Sequence, residues 1–121
     1  MTTIPLADLK LESIAGLLVA HLSGEIDRSN AAELGDRVAS AVGDQSGGLV
    51  VDLSELEFLD STGIRMLFSL AAQLNKRHLS LRVVVPDDSH LGEILDTVGL
   101  KQAAATHHTV GEAVAALTHT R

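Results

Sequence analysis

In the stretch EFLDSTGIRMLFSLAAQL, Glu57 to Leu74, the residues Asp60-Ser61-Thr62-Gly63 stand immediately ahead of an apolar helical pattern. The first turn of a helix leaves backbone N–H groups without partners, and Ser or Asp placed there accepts their hydrogen bonds. Asp60 or Ser61 could therefore be nothing more than a cap. The same placement could instead present the Ser61 hydroxyl at a helix tip for another protein to modify. Asp60 can already cap, Thr62 adds a second hydroxyl, and Gly63 leaves space where a bulkier side chain would shield the serine. A phosphate at that point would meet the partial positive end of the helix and gain about 0.3–1 kcal/mol. On these residues alone the cap and the modified serine both stand.

Other chemistry is poorly provided for. There is no G-x-S-x-G, and Ile64 rather than Lys lies three residues after Ser61, so the signatures of serine hydrolases fail. The histidines His21, His78, His90, His107, His108 and His119 show no spacing that delivers a base to that serine. His107 and His108 are adjacent, so in an extended segment they point to opposite faces rather than converging on one metal ion. No G-x-x-x-x-G-K-[ST] occurs, and Gly47-Gly48 reads as the turn into a strand. With no cysteine, disulfides, thiolate ligands and a cysteine nucleophile are excluded. Neither a catalytic residue nor a metal or organic cofactor is expected.

Nine Lys and Arg against sixteen Asp and Glu give a net charge of −7, which disfavours a nucleic-acid partner. The only aromatics are Phe58 and Phe68, so base-stacking platforms are missing too and the core must be aliphatic. The 121 residues, 45% hydrophobic and 21% charged, suit one folded domain over 1–121, with a core over about 4–118. The longest apolar run, Ile14 to Ala20, is far short of the roughly 20 residues that span a bilayer. The N-terminus, MTTIPLADLK, has no basic and apolar leader pattern. The expectation is a cytoplasmic protein without membrane attachment, a monomer or weak dimer.

The elements that would position Ser61 follow from periodicity. Ile4–Leu11 and Ile14–Leu22 read as two strands joined at Glu12-Ser13, followed by a polar loop, Ser23 to Asn30. Asn30-x-x-Glu33 is a helix-start signature, and Ala31, Leu34, Val38, Ala41 and Val42 recur at helical spacing up to Gly43. Gly35 inside that helix suggests close packing. Leu49–Leu53 is a strand of the doubly buried kind, and the helix after Ser61 buries Ile64, Leu67, Phe68, Ala71 and Leu74 as far as about Arg77. Leu79–Val85 is a strand stopped by Pro86, and a helix with Leu91, Ile94, Leu95 and Val98 closes at Gly99. Residues 101–108 make a weak last strand, and Thr109-x-x-Glu112 opens a final helix. Strands alternating with helices predict an α/β fold, a mixed sheet of four to five strands with about four helices. Functional loops lie beyond the carboxyl ends of such strands. Here those are Ser23–Ser29, Ser54–Ser61 and Pro86–Asp88. In the helix after Ser61, Met66 and Leu70 lie on a flank that one stripe need not cover. They either widen the core face or form an apolar docking strip beside the serine.

The stretch LVVDLSELEFLDSTGIRML resembles the central motif of STAS domains, specifically of bacterial anti-sigma-factor antagonists. LLVAHLSGEID, the helix after it, LRVVVPDDSHLGEILDTVGL and TVGEAVAAL agree in order, from about Ile14 to Leu117. The resemblance places the family's phosphorylated serine on Ser61, preceded by Asp60, and its acidic loop residue on Asp27. It implies that Asp27, Asp60, Ser61, Thr62, Gly63 and Ile64, with Met66 and Leu70 on the same helix, meet an anti-sigma factor serine kinase. The unphosphorylated form would bind that kinase and release a sigma factor. Phosphorylation of Ser61 would end binding and a serine phosphatase would restore it, ATP and Mg²⁺ belonging to the kinase. A STAS subunit that docks without phosphorylation on a transporter ATPase or a stressosome-like assembly is the alternative, and a small-ligand or nucleotide-binding domain a third. Against the family pattern, the last strand is rich in alanine and Arg65 falls within the docking helix.

Overall fold

The computed structural model describes residues 6–44, 46–87 and 89–118. The expected strand start at Ile4, Gln45 in the turn before the third strand, Asp88 and His119 lie outside them. The elements run β1 (Ala7–Ile14), β2 (Leu17–Ile26), α1 (Ala31–Ala41), β3 (Leu49–Leu59), α2 (Ser61–Lys76), β4 (Leu81–Val84), α3 (His90–Thr97), α4 (Leu100–Ala103), β5 (Ala105–His107) and α5 (Val110–Thr118). They form one mixed five-stranded sheet in the order β1-β2-β3-β4-β5. β1 is antiparallel to β2, and the remaining pairs are parallel. Successive parallel strands add in one direction, and such crossovers are nearly always right-handed, so α1 to α4 fall on one face of the sheet.

That face carries the main core. Leu34 and Val38 of α1, Leu67, Leu70 and Leu74 of α2, Leu95 of α3 and Leu100 of α4 pack on Ala20, Leu22, Val51, Leu53 and Val83 of the strands. α5 covers the opposite face alone, with Ala113 over Val19, Val50 and Val84. Its start holds as expected, since the Thr109 hydroxyl accepts from the Glu112 N–H at 3.1 Å. The Glu112 carboxylate reaches back one residue further than a standard capping box, to the His108 N–H at 3.0 Å.

Several boundaries differ from the pattern. The hairpin turns at Ala15-Gly16 rather than Glu12-Ser13, with φ of +52° and +81°, the double positive φ of a two-residue type I′ turn. Strand β2 continues through Ser23-Gly24-Glu25-Ile26, expected as loop, and β3 runs six residues past Leu53, as far as Leu59. The two extensions pair with each other, through register shifts between His21 and Ser23 and again between Gly24 and Glu25. Each shift sets one more residue on β3 than on β2, the signature of a bulge. The weak last strand is present but short, and part of the segment expected to form it is the separate helix α4.

Candidate functional site: twin turns at the ends of β2 and β3

Ile26 and Leu59 are register partners, so β2 and β3 end side by side and Asp27 and Asp60 begin two adjacent turns. A backbone bond from the Asp60 N–H to the Ile26 carbonyl, 3.1 Å, stitches them together. Both aspartates make the same local structure. Asp27 Oδ1 accepts from the backbone N–H of Ser29 at 2.9 Å and from the Ser29 hydroxyl. Asp60 Oδ1 accepts from the backbone N–H of Thr62 at 2.9 Å, from the Gly63 N–H at 3.1 Å and from the Thr62 hydroxyl. An Asp carboxylate bonding its own backbone two residues on is the standard aspartate turn.

Asp60 is therefore the N-cap of α2. The Thr62 hydroxyl foremost, and then the N–H groups of Gly63, Thr62 and Arg28, hold its carboxyl below the usual carboxylate range, outweighing desolvation. Arg28 lies in the neighbouring turn, so the two loops influence the same carboxylate as well as sharing the strand register. On the other side, Asn30 anchors the Asp27 turn. Its Oδ1 accepts from the Asp27 N–H and its Nδ2 donates to the Glu25 carbonyl, each at 3.0 Å. Asn30 consequently does not cap α1 with its side chain, as the Asn30-x-x-Glu33 pattern predicted.

Ser61 opens α2, exposed. Its hydroxyl makes no hydrogen bond among the described residues, whereas the Thr62 hydroxyl is committed to Asp60. Of the other residues proposed to meet a partner, Asp27, Asp60, Thr62 and Ile64 are half-buried at the rim. Gly63, Met66 and Leu70 are buried. Met66 and Leu70 thus widen the core face, one of the two readings open in the sequence. A Cβ on Gly63 would lie 2.2 Å from Leu59 Cδ1 and 3.1 Å from Ile26 Cγ2, so the glycine lets α2 sit down on the strand ends rather than clearing space around Ser61. Met66 and Leu70 are covered because α1 packs along that flank of α2. The contact is close enough that a Cβ on Gly35 would lie 2.9 Å from Met66 Cγ.

Between α1 and α2, next to Thr62, lies a groove of about 340 Å³. Met66 and Leu70 line it together with Ala32 and Gly35, and Arg28 and Arg65 stand among its residues. Neither arginine is within ion-pair distance of a carboxylate among the described residues. Arg28 is not legible in the sequence as a groove residue, because a side chain in a polar loop carries no periodic signal. Nor is the groove itself, which needs two helices.

Among the described residues no helix is long and apolar enough to cross a membrane, and no three His, Cys, Asp or Glu side chains gather as a metal site. His108 is exposed and His107 half-buried, with Nε2 unpartnered among the described residues.

Known proteins resemble this chain over most of its length. The family model described as "Mlab, STAS domain" matches residues 15–112. The chain is 30% identical over 91 residues, 75% of this chain and 78% of the relative, to a Bordetella bronchiseptica protein, BtrV, provisionally named an anti-sigma factor antagonist. It is 36% identical over 61 residues to the anti-sigma-F factor antagonist RsfB of Mycobacterium tuberculosis, a match spanning 50% of each chain. The crystal structure of an anti-sigma factor antagonist from Mycobacterium paratuberculosis superposes with a TM-score of 0.82 at 28% identity, covering 93% of this chain and 94% of that one. The chain is a STAS domain and belongs to the family of the anti-sigma factor antagonists.

Proposed function

We propose that this domain is a phosphorylation-controlled anti-sigma factor antagonist. Unphosphorylated, it binds an anti-sigma factor serine kinase and releases a sigma factor. Phosphate on Ser61 ends that binding, and a serine phosphatase renews it. The observation that carries the reading is the state of the two neighbouring hydroxyls: Ser61 is exposed and unbonded among the described residues, while Thr62 is held by Asp60.

The docking surface in this reading is the rim of the twin turns and the α1–α2 groove. Asp27, Asp60, Thr62 and Ile64 frame Ser61, and Met66 and Leu70 form apolar parts of the groove wall. The helix itself tolerates a phosphate at its first residue, because the N-terminal end of the dipole favours negative charge. A partner packed over the same point does not, since the group adds about 1.5–2 negative charges. An uncompensated charge in a packed interface costs about 2–5 kcal/mol. That corresponds to roughly 30- to several-thousand-fold in affinity, enough for a switch.

The test is to incubate the protein with its cognate kinase and ATP, map the phosphate by mass spectrometry, and measure capture of the kinase. Phosphate is expected on Ser61 and not on Thr62, with capture by wild type and Ser61→Ala and none by Ser61→Asp. Phosphate on Thr62 alone, or on neither residue, overturns the reading. Equal capture of Ser61→Asp would favour a scaffold subunit that docks irrespective of phosphorylation.

A further inference from the structure

On the sheet face that α5 only partly covers, His21 of β2 stands between two carboxylates on two different strands. Its Nδ1 is 2.7 Å from Asp52 Oδ2 on β3, and its Nε2 is 2.8 Å from Glu12 Oε1 on the edge strand β1. Asp52 is the buried charged residue of the core, 7% exposed. Its other oxygen is already occupied, accepting from the Ser54 N–H at 3.0 Å and the Ser54 hydroxyl at 2.7 Å. An ionised carboxylate only accepts, so a ring that bonds one through each nitrogen must donate from both, as only the imidazolium can.

We propose that His21 is a proton-operated clamp: its imidazolium ties edge strand β1 to the buried Asp52 of β3, and loss of one proton frees Glu12 and loosens β1. The departing proton is the one on Nε2, which passes to water. Asp52 keeps the Nδ1–H because a buried carboxylate stripped of its donor is costly. Glu12 is more than half exposed and rehydrates instead. The neutral ring then turns a lone pair toward the Glu12 oxygen, and attraction becomes repulsion.

The surroundings favour the charged ring. The Glu12 hydrogen bond first, and then Asp52, raise the His21 pKa against an opposing effect of burial. From β1, Lys10 is the register partner of His21 and the one cation facing it, with Asp8 and Glu12 on either side along the same strand face. From β3 come Asp52, opposite His21, and further along the same face Glu55, opposite Ser23. α5 brings apolar side chains over this face, and its one carboxylate, Glu112, is held by the His108 N–H. The arrangement is independent of Ser61. It is also no hydrolytic triad, since Ser54 bonds the aspartate and not the histidine.

The test is nitrogen NMR of the His21 ring in the full chain, followed across pH together with hydrogen-exchange protection factors of the β1 amides. The ring is expected to titrate with a midpoint above the ordinary histidine value near 6.5, both nitrogens carrying protons below it. Protection over Lys10–Ser13 should fall with that same midpoint while β3 and β4 stay protected. Glu12→Gln, a change at an exposed side chain, should lower the midpoint and leave β1 less protected at neutral pH. A midpoint at or below 6.5, or β1 protection indifferent to both the titration and Glu12→Gln, overturns the clamp.

Discussion

Asp60 and Ser61 divide between them what either could have done alone. One oxygen of Asp60 takes the Thr62 hydroxyl and the N–H groups of Thr62 and Gly63, so no free N–H of that turn calls on the Ser61 hydroxyl. The cost of this arrangement lies in the charge state of Asp60. Its folded pKa is depressed from 3.8, so its stabilisation is present in full above that value and is lost as pH falls through the lower folded one. Asp60→Asn keeps an acceptor oxygen but no charge. The variant should therefore melt below wild type at pH 7, with the gap closing as the pH is lowered through the folded value, as followed by circular dichroism.

At the scale of elements, α2 and the ends of β2 and β3 meet through Gly63. Alanine there would normally gain up to about 1 kcal/mol of helix propensity. Against this, the added methyl would sit 2.2 Å from Leu59 Cδ1 and 3.0 Å from Leu59 Cγ, so the buried Leu59 side chain or the helix must shift. Overpacking of this kind typically costs about 1–3 kcal/mol. Gly63→Ala should thus lower the urea midpoint, and by tilting α2 it should also weaken kinase capture with Ser61 unchanged. Elements were also where the sequence was most and least legible. Helix α2 and its cap were readable because Asp60 precedes a strong apolar period, and α5 because Thr109 and Glu112 stand at capping distance. The extension of β3 was not, since Ser54-Glu55-Leu56-Glu57-Phe58 projects beyond the covering helices and loses the apolar run that marks a buried strand. The flank of α2 holding Met66 and Leu70 was ambiguous for a different reason: only the arrival of α1, over Gly35, decides what covers it. The Arg28 N–H reaching Asp60 depends on two strands ending in register, which no local pattern encodes.

Across the whole molecule, two histidines oppose one another. Burial first, and then the charge of Arg82, hold the His107 pKa below 6.5 against the pull of Glu112. Below that value the unfolded chain binds a proton that the native one resists, so stability falls as the pH drops. His21 works in the other direction, its contribution complete below 6.5 and lost as pH rises through its raised folded value. Together they place a stability maximum near pH 6.5. Urea midpoints measured at a series of pH values should show it, His107→Asn flattening the acid limb and His21→Asn the alkaline limb.

The twin turns have one more consequence. After Asp27 the residues are Arg28 and then Ser29; after Asp60 they are Ser61 and then Thr62. In each loop the second residue surrenders its hydroxyl to the aspartate, and the first is exposed. Arg28 is thus the geometric counterpart of Ser61, and Ser29, for all its chemical likeness, is the counterpart of Thr62. On the function proposed above, what would mark Ser61 for a kinase is an offset of one place in a repeated template, with a guanidinium standing where the sister loop would otherwise offer a second hydroxyl.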